Sequence, residues 1–227
     1  ICGDMTLIPV QLKITGDYFM GELGNLFNKY NCDKTQKHQY DRIYEPVFKK
    51  LKNKNINILE VGIFNGYSTE ALHEYFPKAN LYGIDIFVRT KAEDLPCYKK
   101  DRTQYLRASS TEPSIARQLI ATFGSIEFDI IIDDGLHTPN ANKLTFRHLL
   151  PFLKSGGHFF IEDVFPLERM TMKELEHPWL LRHPDRYNAL DNNMFIKELE
   201  DSKMEVIRHD NRKLTGEPDS YIIELIK

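Results

Sequence analysis

The feature that most limits the fold of this chain is an alternation. Short β-prone apolar runs, most of them closed by an acidic residue or a glycine, are separated by segments long enough for a helix. Residues 57–61 form the first run and stop at Gly62, and residues 68–75 then read as a helix with apolar positions at 71, 72, 75 and 76. Residues 81–86 are a second run, with Asp85 near its end. Residues 105–108 make a weaker third strand, 115–123 a helix, 128–132 a strong fourth strand, 140–153 a helix and 158–161 a fifth strand. Strands spaced by helix-length segments predict a parallel sheet wrapped in helices, a Rossmann-like α/β arrangement. After a helical segment at 193–200, residues 204–209 and 221–226 read as two strands joined by the turn-rich 213–219. A closing antiparallel hairpin would leave the sheet mostly parallel.

Residues 1–55 lack strand alternation and carry two aromatic-rich helical patterns, at 21–30 and 40–51. The expected organisation is therefore an N-terminal helical extension over 1–55 and one compact unit over 56–227. With 227 residues and 41% hydrophobic side chains, a full core is available. The apolar runs are strand-sized and broken by charge, so the chain reads as soluble and cytoplasmic, with no membrane partner. A formal net charge of -3 gives no support to nucleic acid as a partner. Cys2, Cys32 and Cys97 are widely spaced and read as free thiols. Ile1 to Asp4 read as a remnant of processing or expression.

The chemistry gathers at strand ends. Ile130-Ile131-Ile132 runs into Asp133-Asp134-Gly135-Leu136-His137, and Phe159-Phe160-Ile161 runs into Glu162-Asp163. If the two strands are neighbours, carboxylates and an imidazole meet, which is the composition of a metal-assisted active site. Carboxylate oxygens favour magnesium, calcium or manganese over zinc. In open α/β sheets ligands sit beyond the carboxyl ends of the strands, where strand order reverses. There the first strand ends in Glu60-Val61-Gly62-Ile63-Phe64-Asn65-Gly66, with Ser68 and Thr69 placed to cap the next helix. No GK[ST] follows, and GxGxxG is missing. Glu60 suits a cationic ligand better than a pyrophosphate, and Asp85 is placed to accept hydrogen bonds from ribose hydroxyls. Together these residues point to an adenosine ligand without a pyrophosphate.

Glu60 to Ser68 resembles the first motif of the class I S-adenosylmethionine-dependent methyltransferases, and Gly83-Ile84-Asp85 resembles their second-strand acid. Within that superfamily the chain is most similar to the metal-dependent sugar O-methyltransferases of the macrocin and mycinamicin type. They carry an Asp-Asp-Gly-x-His strand end and a Gly-Gly-x-x-x-Ile-Glu-Asp strand, as Asp133 to His137 and Gly156 to Asp163 do here. Asp33-Lys34 and His38-x-Tyr40-x-x-x-Tyr44 extend the resemblance to about residues 30–165. It implies Asp134, Glu162 and Asp163 as ligands of a divalent cation such as magnesium, and His137 as general base. It also implies that Glu60, Gly62, Gly66, Ser68 and Asp85 hold S-adenosylmethionine, with Ser109 or Ser110 near its adenine. Lys34, His38 and Tyr40 match a segment lying over the donor's methionine end. The implied acceptor is a hydroxyl of a saccharide-type small molecule, in a natural product or a surface polysaccharide, and homo-oligomers occur in the family.

Two rival functions stand beside this one. Catechol and caffeoyl-type cation-dependent O-methyltransferases have a similar first motif, but usually carry a lysine where His137 stands and Asp-Asn where Glu162-Asp163 stands. An NAD-binding or non-catalytic α/β domain is the other. Asp133 reads as a carboxylate that accepts backbone hydrogen bonds. Phe64, Tyr67, Phe159 and Phe160 read as core or pocket wall, and Arg89, Lys91, Lys99, Lys100 and Arg102 as a solvated loop. His73, His148, His158, His177, His183 and His209 read as structural. Residues 164–190 carry no transferable pattern.

Overall fold

The computed structural model describes residues 20–227, so Cys2 and Ile1 to Asp4 lie outside the described residues. Three helices come first: α1 (Glu22–Lys29), α2 (Asp33–Gln36) and α3 (Asp41–Leu51). Then strands and helices alternate: β1 (Asn57–Val61), α4 (Tyr67–Tyr75), β2 (Asn80–Asp85), β3 (Thr103–Arg107), α5 (Ile115–Phe123), β4 (Phe128–Asp133), α6 (Pro139–Leu149) and β5 (Leu153–Ile161). Short helices α7 (Met172–Leu175) and α8 (Pro178–Arg182) precede α9 (Ala189–Asp201), β6 (Glu205–Asp210), α10 (Arg212–Thr215) and β7 (Tyr221–Ile226).

The strands form one 7-stranded sheet in the order β3-β2-β1-β4-β5-β7-β6. All neighbouring pairs are parallel except those made by β7, which slots antiparallel between β5 and β6. The expected closing hairpin is present, and its second strand is the one that joins the sheet. Strand order reverses between β1 and β4, which opens a crevice at their carboxyl ends.

Alternation along the strands sorts side chains onto two faces. Ile58, Ile130, Ile132 and Phe160 share one face with Leu23, Phe27, Tyr40, Tyr44 and Phe48 of the N-terminal segment. Leu59, Ile131, Phe159 and Ile161 point the other way, into a core with Leu119, Phe146 and Phe195. Phe159 and Phe160 are thus core on opposite faces. Burying a residue of this size contributes roughly 1.5–3 kcal/mol, which is what holds α3 to the sheet through Tyr44 and Phe48. Of the two readings for Phe64 and Tyr67, core is ruled out and pocket wall is left: they are 53% and 43% exposed, just beyond the end of β1.

Several boundaries move for local reasons. The helix expected over 140–153 stops at Leu149, because Pro151 cannot continue an α-helical ladder, and a 3-10 turn carries the chain over Leu150–Phe152. β5 then starts earlier than expected and runs through Gly156-Gly157. A Cβ on Gly157 would stand 3.0 Å from the Asp129 carbonyl oxygen, so close strand packing explains the glycine. The helix expected at 193–200 begins at Ala189, because the Asn188 side chain caps it by accepting from Asp191 N. Ser68 and Thr69 do not cap α4. Its N-cap is Gly66, at φ 75°, with no side-chain cap.

Cys32 and Cys97 are free and buried, and burial pushes both thiols up, Cys97 to about 12. The basic loop is not simply solvated. Lys100 pairs with Glu70, and Arg102 donates to the carbonyls of Phe76 and Ala79 at 2.9 and 2.6 Å.

Glu224, in the middle of β7 and 3% exposed, accepts from His158 Nδ1 of β5 at 2.7 Å and His209 Nε2 of β6 at 2.8 Å. Burial alone would raise its carboxyl, but the two imidazole hydrogen bonds outweigh burial and hold it at about 2. A folded value below the ordinary 4.5 means the stabilisation is present above that range and is lost as pH falls toward 2. Glu224→Gln is therefore expected to lower Tm at neutral pH, with the gap from wild type narrowing between about 4.5 and 2. A gap that stays constant across that interval would reject the assignment.

Candidate active site

Hydrogen bonds continue the ladder one step beyond the strands. Gly62 N donates to Ile84 O, Asp134 N to Val61 O and Glu162 N to Asp133 O, each at 2.9 Å. Gly62, Asp134 and Glu162 thus stand side by side at the crevice. Gly62, at φ 84°, has no room for a side chain, since a Cβ would lie 1.9 Å from the Asp134 carbonyl oxygen. Its absent side chain lets β1 and β4 close at the switch point.

Parity then decides which acids meet. Glu60 follows Ile58, Asp134 follows Ile132, and Glu162 follows Phe160, so all three acids fall on the face covered by α1 to α3. There the buried ammonium of Lys34 lies 2.5 Å from Asp134 Oδ2 and 2.5 Å from Glu162 Oε2. Burial would lower the lysine, yet the carboxylates of Asp134 and Glu162 outweigh it and hold Lys34 well above the ordinary range. Glu162 is further held by the Tyr44 hydroxyl. Burial and the nearby carboxylates push both Tyr44 and Tyr40 upward, so both remain donors.

Asp163 and His137 reach the same place by another route. Both are non-glycine residues in the left-handed region, at φ 51° and φ 56°. Such backbone is costly and collects at functional sites. Asp163 Oδ1 accepts from Tyr40 Oη at 2.7 Å and lies 3.7 Å from His38 Nδ1. His38 also meets Ser220 Oγ at 2.8 Å and stacks on Tyr40, with ring centroids 4.9 Å apart. His137 Nε2 is 3.5 Å from Asp134 Oδ1. The ligating atoms of Asp134, His137 and Asp163 all lie within 4.8 Å of one another, a group that could hold a metal ion. Oxygen donors and one imidazole suit a hard divalent cation. The ammonium already seated between Asp134 and Glu162 shows that this corner favours positive charge. Glu162 stands apart from the three, turned to Lys34 and Tyr44.

Asp133 lies on the opposite face, is 2% exposed, and one of its oxygens, Oδ2, has no hydrogen-bond partner among the described residues. Burial pushes its carboxyl to about 7, although His137 and a hydrogen bond from the Gly135 backbone pull it down. The expected backbone hydrogen bond is there, on one side only.

The expected donor-binding residues Glu60, Gly62, Gly66, Asp85, Ser109 and Ser110 lie at the carboxyl ends of β1, β2 and β3 and in the loops that follow. Glu60 is 3% exposed and accepts from Thr69 Oγ1 at 2.7 Å, while its Oε1 is buried without a hydrogen-bond partner among the described residues. Burial raises its carboxyl, opposed by Lys34 and by the hydroxyls of Ser68 and Thr69. An unpaired buried acceptor fits the ammonium of an amino-acid ligand. Asp85 is less open than its position suggested. Its Oδ2 accepts from Ile63 N at 2.7 Å and Phe64 N at 3.1 Å, and its Oδ1 from Phe87 N at 2.6 Å. It ties the two loops into one rim. Gly66, at φ 75°, packs against Cys97. Ser110 Oγ bonds Thr145 Oγ1 at 2.7 Å and Ser109 Oγ bonds Thr111 Oγ1 at 2.8 Å, on the loop after β3. Sequence reasoning missed Thr69 as a partner of Glu60 and the grip of Tyr44 on Glu162. The four-residue spacing of Tyr40 and Tyr44, one helical turn, was the available signal.

No family model matches the chain. In sequence it is similar to the 8-demethyl-8-(2-methoxy-alpha-L-rhamnosyl)-tetracenomycin-C 3'-O-methyltransferase of Streptomyces olivaceus, 30% identical over 154 residues, covering 64% of this chain and 37% of that protein. Demethylmacrocin O-methyltransferase of Streptomyces fradiae is 28% identical over 152 residues, covering 63% and 36%. The chain thus spans little more than a third of these curated relatives. In structure it matches the MycE methyltransferase of the mycinamycin pathway, solved with Mg and SAH, at TM-score 0.66 and 20% identity, over 92% of this chain and 55% of that one. The fold is that of the class I methyltransferases. The SAH-bound Podospora anserina methyltransferase PaMTH1 shares it, at TM-score 0.61 and 18% identity, over 92% of this chain and 88% of that one. The methyltransferase fold accounts for the strand order and for the antiparallel β7. Both of these relatives are O-methyltransferases.

Proposed function

We propose that this chain is a metal-dependent O-methyltransferase domain that moves the methyl group of S-adenosylmethionine to a sugar hydroxyl of a small molecule in the cytoplasm. One observation carries the reading. The cluster of Asp134, His137 and Asp163 sits at the same strand ends as Glu60 with its unpaired oxygen. A cationic donor and a cation-assisted acceptor would thus meet at one crevice.

Glu60, Gly62 and Gly66 receive the donor, Asp85 shapes the rim beside its ribose, and Ser68, Ser109 and Ser110 line the approach. Asp134 and Asp163 would hold a divalent cation, with Glu162 completing the set once it turns from Lys34 and Tyr44, and magnesium is the fitting choice for oxygen donors. When bound, the cation lowers the pKa of the acceptor hydroxyl and fixes it in place. His137 Nε2 would take the proton of that hydroxyl as its oxygen bonds to the methyl carbon and the carbon–sulfur bond breaks, releasing S-adenosylhomocysteine. Lys34, His38 and Tyr40 close the site from the helical side and orient the carboxylates.

The histidine at 137 and the Glu162-Asp163 ending favour a sugar over a catechol acceptor. Calorimetry with S-adenosylhomocysteine and methyl transfer assayed with and without a chelator test the reading. S-adenosylhomocysteine is expected to bind, chelator to abolish transfer and magnesium to restore it. Full transfer in excess chelator would remove the metal, and binding of NAD in place of S-adenosylhomocysteine would overturn the reading as a whole.

A further inference from the structure

The segment after β5, which carried no readable pattern, builds a concavity beside the carboxylate cluster. Phe165, His177, Trp179, Glu217, Pro218 and Asp219 line a cavity of about 310 Å³. It adjoins the candidate site through Tyr40, whose hydroxyl bonds Asp163 Oδ1 at 2.7 Å and the Asp219 carbonyl oxygen at 3.1 Å. The rings in its wall are braced by other rings. Trp179 Nε1 donates to Tyr187 Oη at 3.1 Å, Tyr187 packs edge-on against Phe165 at 5.2 Å, and Trp179 meets His183 at 4.6 Å. Trp179 nonetheless stays 45% exposed, so part of the indole is uncovered. Asp219 Oδ1 is buried and has no hydrogen-bond partner among the described residues. Such an acceptor costs roughly 1–3 kcal/mol until a donor reaches it.

Resting on the methyltransferase reading above, we propose that this cavity is the acceptor subsite and takes one neutral pyranose ring of a glycoside. The C–H face of the sugar lies on Trp179 and Phe165, and its hydroxyls donate to Asp219 and Glu217. The volume sits at the small end of ligand pockets, which fits a single ring and leaves any aglycone outside. Two carboxylates in the wall repel phosphate, so sugar phosphates and nucleotide-linked sugars are excluded. The shared Tyr40 sets the bound ring next to Asp163 and hence to the reacting hydroxyl.

Trp179 is the only tryptophan of the chain, so its emission reports on this cavity directly. Methyl α-L-rhamnopyranoside and methyl β-D-glucopyranoside are titrated against the 227-residue chain while tryptophan emission is followed, with UDP-glucose as the anionic comparison. At least one neutral glycoside is expected to shift the emission saturably, and UDP-glucose to leave it unmoved. Asp219→Asn is expected to weaken that response roughly tenfold, the scale of a hydrogen bond to a charged group, while S-adenosylhomocysteine binding confirms that the variant is folded. Trp179→Ala should raise KM for the glycoside with kcat kept, since it removes binding alone. Emission unmoved by both glycosides, or moved only by UDP-glucose, overturns the subsite. Methyl transfer to a glycoside with unmoved emission and unchanged KM in Trp179→Ala overturns the subsite and leaves the activity standing. Failure to bind S-adenosylhomocysteine overturns the activity, and the emission response still decides the cavity.

Discussion

Replacing His137 by alanine is expected to cost roughly 10²- to 10⁴-fold in kcat, the usual range for a positioned general base. Its imidazole lies 3.5 Å from Asp134 Oδ1 and within 4.8 Å of the ligating atoms of Asp134 and Asp163, so it could serve as a base or as a metal ligand. The two roles separate in one variant. If His137 is the base, His137→Ala keeps its affinity for S-adenosylhomocysteine and for magnesium and loses turnover. If it is a ligand, magnesium binding weakens along with turnover. An unchanged rate with both affinities intact would eliminate either role. His137 sits at φ 56°, and alanine tolerates that region no better than histidine does. A stability measurement must therefore accompany the rate, so that a shifted loop is not counted as lost chemistry.

Removing the charge of Lys34 is expected to produce the largest loss of stability in the candidate site. In Lys34→Met, Glu162, with a side chain 1% exposed, would face Asp134 with no counter-charge between them. Breaking a buried pair from one side typically costs about 3–5 kcal/mol, because the remaining charge stays desolvated. Burial already pushes the Glu162 carboxyl well upward, so taking up a proton would cap the loss near the lower figure. At about 2–4 °C per kcal/mol for a domain of this size, the melting temperature should fall by roughly 10 °C. Magnesium should return part of that loss, since a ligand that binds only the folded state stabilises it. The gain from magnesium should be larger in Lys34→Met than in the wild type, where the ammonium occupies Asp134, a member of the candidate metal group, together with Glu162. A fall of less than about 2 °C, or an equal response to magnesium, would show that Lys34 and the metal do not share these oxygens.

Both experiments turn on residues whose types were legible in the chain and whose partners were not. Asp134, His137, Glu162 and Asp163 stood out because acids and an imidazole ended two apolar runs. That Lys34 would lie across Asp134 and Glu162 required α2 to fold over the end of the sheet, 100 and 128 residues away in sequence. Tyr40 and Tyr44 are likewise 123 and 118 residues from the acids they hold. The placement of Ser68 and Thr69 failed for a related reason. Hydroxyls near a helix start are good caps in general, but a buried carboxylate at Glu60 competes for Thr69 and wins. The 164–190 region was silent because its pattern is neither period 2 nor period 3.6 over any useful length. Its residues acquire meaning only when the cavity gathers Phe165, His177 and Trp179 with Glu217 and Asp219 from beyond β6.

The sequence by itself determined the alternation of strands and helices, and hence a mostly parallel sheet with its acids at the carboxyl edge. Side-chain periodicity and local backbone preference are properties of short segments. The tertiary structure alone decided which acids face one another, and it did so through strand register, through the positive φ of His137 and Asp163, and through the helices laid over the sheet. Glu60, Asp134 and Glu162 share a face because neighbouring parallel strands are in step, while Asp133, one residue earlier, is turned to the opposite side. A one-residue change in register would exchange them. That is why composition points to a metal-assisted site, and only packing chooses its members.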